Sequence, residues 1–139
     1  MVVNKGTIWW PEPAAGDIVW CRFPMPLGVE LKPRPILIVT VFEDHAPQFE
    51  VAAAFGTSQR TDKLFAGEFL IRQALHPHAY ALARLSLDTK FNMCRIAVLP
   101  YSDEWFDIAP GAPLGHDPKL GTLHSSMLRT VAAAASACP

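Results

Sequence analysis

Lys32-Pro33-Arg34-Pro35-Ile36-Leu37-Ile38-Val39 places one arginine between two prolines and then runs at once into aliphatic and β-branched residues. Proline fixes its own φ and drives the residue before it into extended geometry, so Lys32 and Arg34 are both biased away from helix. The apolar run over residues 36–41 is short and rich in β-branched side chains, which is the pattern of a buried strand. A guanidinium that keeps its proton therefore sits at the mouth of a stiff core strand, well placed to hold a phosphate or a carboxylate. The bland alternative is a solvated arginine at a strand end.

Working outward, residues 24–33 contain Pro24, Pro26, Gly28 and Pro33 and cannot pair as a central strand. They form a loop whose charged members are Glu30 and Lys32. Gly16-Asp17 opens an earlier strand over residues 18–23, apolar on both faces, which suits a closed barrel or a subunit interface. Residues 1–15 form an arm with Trp9-Trp10 before Pro11 and Pro13, either covering an open end of the core or meeting a partner. Downstream, strands are expected over 34–42, 49–55 and 68–71, then 82–93 and 95–99. A loop covers 101–118, anchored by Trp105-Phe106 with turns at Pro110-Gly111 and Pro113. A helix spans 122–135 with Thr122 as its N-cap.

The chain of 139 residues is expected to form one domain, with an arm (1–15), a barrel (16–100) and a loop plus helix (101–139). Half of the residues are hydrophobic and 18% are charged, which excludes general disorder. A formal net charge of −1 argues against electrostatic coating of nucleic acid, though not against one local basic site. Thirteen prolines and eight glycines suit short strands joined by turns rather than a helical bundle. The three cysteines, Cys21, Cys94 and Cys138, have no metal-ligand spacing and read as reduced, mostly buried residues of a cytoplasmic protein. No signal peptide or membrane span is expected. His76-Pro77-His78 reads as loop and lacks the further ligands of a metal site; no metal and no cofactor are expected. The resulting fold class is mainly β with α: a small barrel of about six strands with a C-terminal helix.

Polar residues collect at the strand ends: Glu30, Arg34, Thr57, Ser58, Gln59, Asp88, Lys90 and Asn92. Singly, each is a solvated terminus. In a small barrel, however, successive strand ends converge on one rim. Gly16-Asp17-Ile18-Val19-Trp20, Gly28-Val29-Glu30, Arg34-Pro35-Ile36-Leu37-Ile38-Val39 and Thr57-Ser58-Gln59, in this order, resemble the signatures of the MazF/PemK toxins over residues 16–100. The resemblance implies an SH3-like barrel of the CcdB/MazF type and a homodimer. It also implies metal-independent cleavage of single-stranded RNA and occlusion of the site by a cognate antitoxin protein. It assigns Arg34 and Thr57 as catalytic, with Glu30 as a loop glutamate standing one residue nearer the arginine than is common in the family. Lys32, Ser58, Gln59, Thr89 and Lys90 would contact substrate. Thr89-Lys90-Phe91-Asn92 departs from the family pattern, reversing a basic and a hydroxyl residue and replacing a carboxylate by an amide.

The reaction so implied is attack of a ribose 2′-OH on its own 3′-phosphate, leaving a 2′,3′-cyclic phosphate and a 5′-OH. Arg34 would stabilise phosphoryl charge, Thr57 would donate a hydrogen bond and Glu30 would accept the proton. The alternative is a non-catalytic barrel that grips a protein, as the CcdB-type gyrase poisons do, or a decayed toxin.

Overall fold

Between Pro33 and the aliphatic run the chain has little choice but to extend, and β2 spans Arg34–Phe42, where the sequence places it. The computed structural model describes residues 8–111 and 115–139; residues 1–7 of the arm and the turn at Pro113 lie outside them. The other strands are β1 (Asp17–Cys21), β3 (Glu50–Thr57), β4 (Glu68–Ile71), β5 (Thr89–Pro100) and β6 (Lys119–Thr122), with short helices α1 (Pro77–Leu82) and α2 (Leu128–Ser136). All six strands join one antiparallel sheet in the order β4-β5-β3-β2-β1-β6. Register shifts interrupt β1 at Ile18/Val19, β2 between Ile38 and Thr40, and β3 at Ala54/Phe55. Bulges of this kind bend a strand and increase its twist, so the sheet curls into a half-barrel.

Side-chain alternation gives the sheet a core on each face. Ile18, Leu37, Ala54, Phe69, Ile71 and Phe91 pack under α1 and α2 on one side. Val19, Cys21, Phe23, Ile36, Ile38, Val51 and Phe106 pack on the other. The two-sided burial expected of β1 is present, but it is satisfied within the chain, as Ile18 and Val19 are fully buried. Trp10 packs against the second core, its indole N–H donating to the Phe106 carbonyl at 3.3 Å. Arg22 pairs with Asp107 and donates to the Asp103 and Glu104 carbonyls, tying the loop after β5 to the end of β1. The apolar first strand and Trp10 are thus covered by the chain's own cores.

Four expectations are corrected. Residues 82–88 are not strand, and only 89–93 of the strand expected over 82–93 is extended: α1 occupies Pro77–Leu82, with Pro77 in its first turn, where a missing N–H costs nothing. The two strands expected over 82–99 are replaced by the single strand β5, bulged at Met93-Cys94-Arg95. Thr122 is no N-cap; it closes β6 opposite Asp17, and the cap is His124, whose Nδ1 accepts the Ser126 N–H at 3.0 Å ahead of a short 3-10 turn. Finally, Cys94 and Cys138 are not reduced thiols. They form a disulfide across 44 residues with Cα atoms 5.4 Å apart, leaving Cys21 free and buried.

The disulfide pins the end of α2 to the β5 bulge and lies directly over Gly67, where a Cβ would overlap Cys94 Sγ. Closing a loop of that length removes about 4 kcal/mol of unfolded-chain entropy. Cys138→Ser, or reductant, is therefore expected to lower unfolding stability by about 3–4 kcal/mol in urea titrations. An unchanged midpoint would show that α2 holds the sheet through its apolar contacts alone. Among the described residues, no helix is long and apolar enough to cross a membrane.

Candidate functional site

The β2–β3 pair builds the site. Extending the Leu37–Ala54 register toward the start of β2 puts Pro35 beside Gly56 and Arg34 beside Thr57. Gly56 makes this possible, because a Cβ there would overlap the Pro35 carbonyl oxygen and lie 3.0 Å from the Phe91 ring. The strands can meet this closely only over a residue without a side chain.

At this end of the sheet lies a cavity of about 690 Å³, lined by Glu30, Lys32, Arg34, Thr57, Ser58, Gln59 and Thr89 among others. Seven of the eight residues expected to act in catalysis or to contact substrate thus share one cavity. Lys90 does not line it. Its side chain is buried, paired with Glu68 at 3.0 Å and donating to the Lys63 carbonyl at 3.0 Å. A strand-borne lysine reads as exposed until its partner on β4 is known. Asp88 and Asn92 also stand apart: Asp88 pairs with Arg72 and accepts the Gln73 N–H, and the Asn92 side-chain oxygen accepts the Cys94 N–H inside the β5 bulge. The amide at 92 is thereby occupied with backbone geometry.

Arg34 rests on the Phe55 ring, its guanidinium carbon 5.2 Å from the centroid, and its Nε donates to the Lys32 carbonyl at 3.4 Å. Among the described residues both Nη groups are without a protein partner, so the planar fork is free for an anion. Arg95, from the β5 bulge, lies 4.1 Å from the same ring, which itself packs edge-on against Phe23. Phe55 is thus a platform shared by two guanidinium groups, an arrangement invisible in the sequence because the bulge sets it.

The Thr57 hydroxyl oxygen accepts the Gln59 N–H at 3.1 Å, which orients the oxygen and leaves its own hydrogen to donate. Thr89 is the reverse case: its hydroxyl donates to the Leu87 carbonyl at 2.9 Å and can only accept in the cavity. Glu30 is exposed at the rim, on a loop that carries exposed Leu27, Val29 and Leu31. Cys21, opposite Arg34 in the β1–β2 register, is no nucleophile: burial pushes its thiol pKa up.

Trp20, Leu87, Leu120 and Pro110 supply apolar wall. Arg84 and Ser86 also line the cavity, a contribution that sequence reading missed because it assigned those residues to a strand. Among the described residues, no group of three or more His, Cys, Asp or Glu side chains is arranged to hold a metal ion. The cavity can therefore offer an anion three cations, several hydroxyls and one carboxylate, beside an apolar wall. No family model matches this chain, and no curated protein matches it in sequence.

Proposed function

We propose that the protein is a metal-independent endoribonuclease acting on single-stranded RNA, the toxin of a toxin–antitoxin pair. The observation that carries this reading is the free Arg34 fork beside the Thr57 hydroxyl, at the mouth of a cavity that also holds Glu30. A catalyst for 2′-OH attack needs little more. The nucleophile is intramolecular, so the protein must splay the chain in line, accept one proton and stabilise charge on the phosphoryl oxygens. Arg34 holds the non-bridging oxygens through two parallel N–H donors, Thr57 donates one further hydrogen bond, Glu30 takes the 2′-OH proton, and the 5′-oxygen leaves as the P–O5′ bond breaks and takes its proton from water. The apolar wall at Trp20 gives an unpaired base a face to lie against.

The same proposal includes an SH3-like barrel identity for the curled sheet, a homodimer, a cytoplasmic site of action and an antitoxin that blocks the cavity. Exposed Leu27, Val29 and Leu31 form an apolar rim suited to a bound protein segment. In a cytoplasm that keeps thiols reduced, the Cys94–Cys138 pair would be open and α2 held by its apolar contacts.

The test is cleavage of a mixed-sequence single-stranded RNA in EDTA. Discrete fragments ending in 2′,3′-cyclic phosphate are expected from the wild type, and a loss of about a hundredfold in rate from Thr57→Ala, which removes one oriented donor. Intact RNA with folded wild-type protein would reject the enzyme. It would leave a barrel that grips a protein through the Leu27–Leu31 rim.

A further inference from the structure

Helix α1 ends in an unusual way. Ala83 is its C-cap, Arg84 donates its N–H to the Ala81 carbonyl at 3.1 Å, and Leu85 donates to the Tyr80 carbonyl at 3.3 Å. This pair of bonds is a Schellman motif, whose turning residue takes a left-handed backbone and is usually glycine. Here it is Arg84, with φ +54. A residue with a Cβ in that conformation is strained, and one held so is a pointer to use rather than to stability.

Two further features fix where the arginine sits. Gly121 of β6 packs against the end of α1 so closely that a Cβ would lie 2.5 Å from the Ala83 carbonyl, which braces the turn from below. Arg84 lines the same cavity as Arg34, from the connection between α1 and β5, and it is exposed. Among the described residues its guanidinium has no ion pair, hydrogen bond or aromatic ring of its own. An unpaired, strained and braced cation facing a cavity is poised for an anion that the chain does not supply.

We infer that Arg84 holds a backbone phosphate of single-stranded RNA that flanks the scissile one, so that Arg34 and Arg84 grip successive parts of one strand. The inference rests on the ribonuclease reading above. It follows from separation of duty: Arg34 stands with Thr57 on β2 and β3, whereas Arg84 comes from the α1–β5 connection, which also brings Ser86 and Leu87 to the cavity. The cavity volume of about 690 Å³ exceeds what one phosphodiester fills. Arg84 is therefore a substrate-positioning residue, not a participant in bond breaking.

The test compares wild type with Arg84→Gly and Arg84→Lys. Glycine suits the left-handed position, so Arg84→Gly keeps the fold and melts no lower than wild type. Binding is measured across salt concentrations on a mixed-sequence single-stranded RNA, 2′-O-methylated throughout so that it cannot be cleaved. Cleavage is measured on the unmodified RNA. Arg84→Gly is expected to weaken binding by about tenfold at low salt and to lower the salt slope by about 0.7, the share of one single-strand phosphate. Its KM rises while kcat holds, and Arg84→Lys keeps the slope. Wild-type affinity and slope in Arg84→Gly, with RNA bound and cut normally, would overturn this inference and leave the ribonuclease reading standing. Failure of the wild type itself to bind or cut RNA would instead reject the ribonuclease reading, and this inference with it.

Discussion

Arg34→Ala is expected to slow RNA cleavage by about 10²–10³-fold in EDTA, the usual loss when one preorganised donor to developing charge is removed. Arg34 qualifies for the upper end because it brings two donors and a full charge, and because the Phe55 ring and the Lys32 carbonyl fix its plane before substrate arrives. Arg34→Lys is expected to restore only part of the rate, since an ammonium is a point charge and cannot match two phosphoryl oxygens at once. Stability should barely change. The extended start of β2 is set by Pro33 and Pro35, and Arg34 adds only its contact with the Phe55 ring and one hydrogen bond to the Lys32 carbonyl. Initial rates on a defined RNA, beside thermal melts of each variant, measure both. A rate within about threefold of wild type would place transition-state stabilisation elsewhere.

Gly56→Ala is expected to cost about 3 kcal/mol or more of unfolding stability and to abolish activity in whatever remains folded. One added methyl would overlap the Pro35 carbonyl oxygen and press on Phe91. The first obstacle is backbone, so no rotamer change relieves it. β2 would have to move off β3 at the one place where Arg34 and Thr57 are brought together. Gly28→Ala provides the contrast: a Cβ there meets nothing within 4 Å, and the cost is confined to the φ of +88. Denaturant titration of both variants should separate them clearly. A Gly56→Ala protein within about 1 kcal/mol of wild type would mean that the strands can part there without loss.

How much of this was legible beforehand differs from element to element. β2 was found to the residue because two prolines and an uninterrupted aliphatic run leave one local solution. β3 was found despite three consecutive alanines, since the flanking Val51, Phe55 and Gly56 favour a strand. The β5 region was not. Its polar start at Leu82 to Asp88 alternates weakly, and the bulge that joins two apparent strands into one depends on how β3 pairs, not on its own sequence. β6 is only four residues long and is a strand because β1 offers it an edge.

The candidate site divides in the same way. Glu30, Lys32, Arg34 and the Thr57-Ser58-Gln59 turn sit at strand ends that short-range chain stiffness and apolar runs define, and those are properties of neighbouring residues. Lys90 was drawn toward the site by its strand position and away from it by Glu68, 22 residues distant. Arg84, Arg95 and the Cys94–Cys138 bond depend on a helix end, a bulge and a helix docked over 44 residues of intervening chain. The sequence alone determined where the chain must extend and where charge stands at strand ends. Which charges face the cavity and which are neutralised was decided only by folding, because pairing across a sheet is a contest among partners that no local stretch contains.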